Sequence, residues 1–101
     1  MKTNITDVMI STPSLQYDPQ SDRLNCFYYY RGRGVLNRRS MPAKEAFRSP
    51  LNWSAPETVA IGSRDMREAG NVNGLFCGGS HILAYYSGTM PDIGIYILHV
   101  K

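Results

Sequence analysis

The residues best suited to chemistry in this sequence lie between Arg23 and Arg48. Arg23, Arg31, Arg33, Arg38, Arg39, Lys44 and Arg48 stand there against one acid, Glu45, a net charge of +6. The rest of the chain holds four cations and seven acids, net −3, and the two together recover the formal +3 of the whole. The positive charge is therefore local. All but one of these cations are arginine, whose planar guanidinium donates paired hydrogen bonds to phosphate or carboxylate and sheds water more readily than an ammonium. Tyr28, Tyr29 and Tyr30 run into Arg31-Gly32-Arg33-Gly34. Rings able to stack on unpaired bases thus adjoin a glycine-rich loop able to follow a phosphate backbone. The same arginines would dock on an acidic protein surface, or simply solvate a loop and pair with Asp18, Asp22 and Asp65.

A second constellation is the histidine pair. If the last two strands close through a three-residue loop at Thr89 to Pro91, residues whose numbers sum to 180 lie opposite one another and His81 faces His99. Two imidazoles that titrate near neutrality could divide the acid and base roles of a metal-independent ribonuclease. A two-residue loop would instead put the two rings on opposite faces. Cys26, Cys77, His81 and His99 are zinc-ligand types, but the cysteines are isolated and not spaced as paired knuckles, so no metal is expected. Both thiols are read as free and buried. Gly78-Gly79-Ser80-His81 lacks the phosphate-loop pattern and precedes a strand. The sequence has no nucleophile elbow, no His-Glu-x-x-His and no carboxylate pair, so no cofactor is implied.

The elements that must position these groups follow from the patterning. Asp18-Pro19-Gln20-Ser21-Asp22 is a turn by composition, joining Leu15–Tyr17 to Leu24–Tyr30 as a hairpin. Alternation in the second strand puts Leu24, Cys26, Tyr28 and Tyr30 on one face and Asn25, Phe27, Tyr29 and Arg31 on the other. With rings on both faces, that strand is expected at the centre of the sheet. A short helix is predicted over Pro42–Arg48. Ser54-Ala55-Pro56-Glu57 fits a capping box, and Ala55, Val59, Gly62, Met66 and Ala69 recur at helical spacing, predicting a helix over 55–69. The alternative there is a short strand to Ile61 with Ser63 capping a brief helix. Trp53 is expected to staple the first turn near Thr58 or Val59. Gly70–Gly74 and Gly78-Gly79 read as turns, and His81–Ser87 with Ile93–Val100 as a closing hairpin.

These elements predict an α+β fold. Its small antiparallel sheet is built from the N-terminal and C-terminal hairpins, with one or two helices packed on one face. Its 101 residues suit one domain. Charged residues at 19% and hydrophobic ones at 43% argue for a folded chain rather than a disordered one. Met1–Ser11 has no apolar run of signal-peptide length, and no stretch suits a membrane span, so a cytoplasmic protein without membrane contact is expected.

Small size, a basic patch and many tyrosines suit small regulators and inhibitors such as phages and mobile elements carry. The leading expectation is therefore a non-enzymatic binding protein. It would engage an acidic macromolecule, either nucleic acid or a nucleic-acid-handling protein, through Tyr28, Tyr30, Arg31, Arg33, Arg38, Arg39 and Arg48. The alternatives are the His81 and His99 ribonuclease and a homo-oligomer that pairs through the aromatic strand or the terminal hairpin edge.

Overall fold

The turn at Asp18–Asp22 is organised by one carboxylate. Asp18 Oδ1 accepts from the Gln20 backbone N–H at 2.9 Å, and Ser21 Oγ donates to Asp18 Oδ2 at 2.8 Å. Asp22 adopts a left-handed φ of 52°, which a short polar side chain tolerates better than most. The turn joins β1 (Ser14–Asp18) to β2 (Arg23–Tyr30), paired from Ser14↔Phe27 to Asp18↔Arg23, as the sequence predicted. The computed structural model describes residues 1–7, 12–30, 33–61, 70–87 and 94–101.

The described residues form two antiparallel sheets. The first orders β1-β2-β3-β4, with β3 at Val35–Pro42 and β4 at Glu57–Ile61. The second orders β5-β6-β7, with β5 at Gly70–Cys77, β6 at Ser80–Ser87 and β7 at Gly94–Val100. The expected α+β arrangement is thus overturned. In place of a Pro42–Arg48 helix there is a single 3₁₀ turn at Ala43–Glu45. The first part of the predicted 55–69 helix is strand β4, and residues 62–69 lie outside the described residues.

The capping signal misled for a physical reason. Ser54 Oγ takes the backbone N–H of Ser40 at 2.9 Å, and Ser54 N–H donates to Ser40 C=O at 2.9 Å. The hydroxyl closes the end of a sheet instead of a helix, and β-branched Thr58 and Val59 then favour the strand. Trp53 staples no helix either, because its backbone is bonded to Asn4 in both directions, at 2.9 and 3.1 Å. The predicted turn at Gly70–Gly74 is the first half of β5. By contrast Gly78 and Gly79, at φ 60° and 81°, form the tight two-residue turn expected of them.

β2 is central, as its rings on both faces implied. Phe27 and Tyr29 point inward and share a core with Leu36, Val72 and Leu83, so both sheets contribute to it. Fully burying side chains of this kind stabilises by about 2 kcal/mol each. On the outer face Cys26 and Tyr28 are also buried, beneath the N-terminal segment and the loop that carries Trp53. The sheets are joined beyond the core as well: the Val72 N–H donates to the Thr12 carbonyl at 3.3 Å.

Candidate functional site

The arginine-rich segment is mostly strand, not loop, and β3 sorts its side chains by face. Leu36, Arg38 and Ser40 point toward the second sheet, while Val35, Asn37, Arg39 and Met41 share the outer face with Cys26 and Tyr28. The arginines expected to act together are therefore divided. Arg38 donates from Nε and Nη2 to Glu57 Oε2, at 3.1 and 2.9 Å, and from Nη1 to the Lys101 carbonyl at 2.8 Å. Its guanidinium lies 6.0 Å from the Phe27 ring centroid. Arg39 is buried on the other face. Its Nη2 pairs with Asp7 Oδ1 at 3.0 Å, its Nε donates to the Tyr28 hydroxyl at 2.9 Å, and that hydroxyl donates to Asp7 Oδ2.

Tyr28, Arg38 and Arg39 are thus engaged within the fold. Burial, followed by the hydrogen bond to Asp7, pushes the Tyr28 phenol above its ordinary value. The expected partners Asp18 and Asp22 pair with neither arginine, and Asp65 and Arg31 lie outside the described residues. Glu57 was missed as a partner because only the pairing of β3 with β4 sets it opposite Arg38, and Asp7 because only the tertiary path of the N-terminal segment brings it to Arg39.

Tyr30 and Arg33 do come together. The Arg33 and Gly34 backbone N–H groups both donate to the Tyr30 carbonyl, at 3.1 and 2.9 Å. Gly34 supplies the left-handed φ of 65° that turns the chain into β3. Beside this turn opens a cleft of ≈ 440 Å³, lined by Tyr30, Arg33, Val35, Asn37, Pro56 and Thr58, within the size range of small-ligand sites. A register shift between Leu36 and Asn37 sets Thr58 opposite Asn37, and the Thr58 hydroxyl donates to Asn37 Oδ1 at 3.2 Å. Asn37, Pro56 and Thr58 carried no sequence signal for this role. Only the pairing of β3 with β4 assembles them. The cleft offers a ring, an exposed guanidinium and the Thr58 hydroxyl, while the Asn37 amide at its wall is buried, with Oδ1 taken by that hydroxyl.

At the far end of β3, Lys44 and Arg48 are exposed, with Phe47 between them in sequence and 84% exposed. Neither cation, nor Arg33, enters an ion pair among the described residues. Exposed cations with an accompanying ring therefore flank both ends of the strand, about 25 Å apart by strand rise.

The histidines are not brought together. In the β6–β7 pairing His81 opposes Val100 and His99 opposes Ile82, so residue numbers sum to 181, not the 180 expected, and the two rings project from opposite faces. His99 is exposed on the outside. His81 is 2% exposed, edge-on to Phe27 and Phe76, with Nδ1 at 2.8 Å from Gln16 Oε1. Gln16 Nε2 donates to Ser14 Oγ at 3.1 Å, which leaves Oε1 to accept the His81 Nδ1–H. Burial, followed by the Arg38 charge, holds this imidazole below its ordinary value. Of the cysteines, Cys26 is buried, with its thiol pushed up to about 11 by burial, whereas Cys77 is exposed, not buried as expected. No metal-binding cluster of His, Cys, Asp or Glu occurs among the described residues, and no helix there is long and apolar enough to cross a membrane. Compared with known proteins, the chain matches no protein family, no curated protein and no solved structure.

Proposed function

We propose that the protein is a non-enzymatic binding protein that holds an unpaired nucleic-acid strand, with the Tyr30 and Arg33 cleft as its principal contact. The observation that carries this reading is the cleft itself, where a tyrosine ring and an exposed guanidinium adjoin the Thr58 hydroxyl, itself bonded to the buried Asn37 amide. A ring stacks on any base, an arginine binds the phosphate, and neutral polar groups reach base edges or sugar. Phe47 with Lys44 and Arg48 supplies a second ring and two further cations for the same strand. The reading suits a cytoplasmic protein, in keeping with its free thiols. The arrangement of His81 and His99 gives no support to nuclease chemistry.

Fluorescence anisotropy with a labelled single-stranded oligonucleotide of mixed sequence tests the reading. Binding should weaken steeply with salt, by about 0.7 in log–log slope for each phosphate neutralised on a single strand. Tyr30→Ala should weaken it roughly tenfold through lost stacking, and Arg33→Ala combined with Arg48→Ala should flatten the salt slope. Binding unchanged in these variants sinks the proposal. Capture of an acidic protein without nucleic acid from the native host would assign the cleft to a protein surface instead.

A further inference from the structure

β7 is an edge strand among the described residues, and its own sequence carries none of the charge, proline or bulge that discourages a partner. It ends the three-stranded sheet, so alternate N–H and C=O groups of Gly94–Val100 point away from β6. Edges are usually blunted by charge, proline or a bulge. Gly94-Ile95-Tyr96-Ile97-Leu98-His99-Val100 contains no Asp, Glu, Lys, Arg or Pro, and it pairs with β6 without a register shift.

Its side chains are unusually exposed for their type. Ile95 and Ile97, 79% and 69% exposed, lie on the face turned away from the core, as does Leu75 on β5 at 56%. Tyr96 points the other way, stacked on Tyr85 with centroids 6.0 Å apart, yet is 50% exposed. Along this edge these side chains are thus left to solvent. On β7 itself, Ile95 and Ile97 on one face and Tyr96 on the other give this uncharged edge exposed apolar side chains for a partner strand to cover.

We propose that β7 pairs antiparallel with β7 of a second copy of the chain, giving one continuous six-stranded sheet across a two-fold axis. An acidic partner is a poor occupant, because residues 94–100 offer it no cation. An uncharged β-branched strand is complementary to itself, and a two-fold contact uses the same patch twice. An axis perpendicular to the sheet keeps both outer faces on one side, so odd-numbered residues pair with odd-numbered ones. With Tyr96 on the axis, Ile95 of one copy lies beside Ile97 of the other.

Sedimentation velocity over a concentration series reads the assembly. The wild-type chain should pass from monomer to dimer in the micromolar range. Ile97→Lys, a change at an exposed position, should raise the dissociation constant at least tenfold without lowering Tm. Ile95→Lys and Ile97→Glu should each be monomeric, and an equimolar mixture should regain the dimer, because lysine then faces glutamate. A wild-type chain that stays monomeric to its solubility limit overturns the proposal, as does a dimer that survives Ile97→Lys. A dimer abolished by Leu75→Lys but not by Ile97→Lys also overturns it, by placing the contact on the sheet face.

Discussion

His81 shows how a residue with catalytic potential can be spent on structure. Its ring sits between Phe27 and Phe76, and its one described hydrogen bond goes to Gln16 on the opposite sheet. Burial disfavours the imidazolium, the Arg38 charge adds to this, and Asp18 opposes it weakly, so the folded ring stays neutral to lower pH than the free side chain at 6.5. Below pH 6.5 the unfolded chain takes up a proton that the folded chain refuses. Stability should therefore fall with pH from 6.5 down to the lowered folded value and level off beneath it, as far as this group is concerned. Thermal melts of the wild type and His81→Phe between about pH 5 and 7 test this. The variant should be less stable throughout, by about 1–3 kcal/mol for the stranded Gln16 carbonyl, but should have lost the slope. An equal slope in both proteins would assign the pH dependence to other groups. His81 was visible in the sequence as a candidate, but its fate was not, because the pairing of β6 with β7 differs by one from the register assumed.

At the level of elements, β5 depends on a glycine that composition reads as a turn. A Cβ on Gly74 would meet the Ile82 carbonyl oxygen at 2.1 Å and Gln16 Nε2 at 2.8 Å. The first of these is backbone and cannot swing aside. Gly74→Ala should cost about 2 kcal/mol or more, seen as a Tm lower by roughly 10 °C. Gly78→Ala is the matched control, since a Cβ there meets nothing within 4 Å and is strained only by the positive φ, about 1 kcal/mol. If the two variants melt together, the close approach at Gly74 is not what fixes β5. The hairpins of β1 with β2 and of β6 with β7 were legible because alternation and turn residues agreed. The strand β3 was not, because its arginines read as a solvated loop, and β4 was legible only as the alternative, a short strand to Ile61, because Ser54-Ala55-Pro56-Glu57 read as a helix cap.

Over the whole molecule, the N-terminal segment is tied to the first sheet at two points, Asn4 to the Trp53 backbone and Asp7 to Tyr28 and Arg39. Beneath it Trp53, Cys26, Tyr28, Ile5 and Leu15 line an apolar hollow of ≈ 280 Å³. Removing Asp7 leaves a guanidinium whose side chain is only 10% exposed, with the Tyr28 hydroxyl and the Ser54 carbonyl as remaining partners. Asp7→Ala should cost about 3 kcal/mol. Because Trp53 is the single tryptophan, loosening of the segment should also shift its emission to the red. A variant as stable as wild type, with unshifted emission, would show that the segment is not held by this pair. The same geometry explains why Arg38 and Arg39 belong to the fold, while Arg33 and Arg48 stay exposed and enter no ion pair among the described residues.

The sequence by itself determined the local charge, the Asp18–Asp22 turn, the Gly78-Gly79 turn, the terminal hairpin and the central position of the aromatic strand. Each of these follows from neighbours in the chain, through side-chain bonding at turns and the two-residue period of strands. Only the tertiary structure decided which arginines are exposed, that Asn37 and Thr58 share a cleft with Tyr30 and Arg33, and that His81 and His99 stand on opposite faces. Those outcomes depend on register between strands distant in sequence, and a shift of one residue turns every side chain to the other side of the sheet.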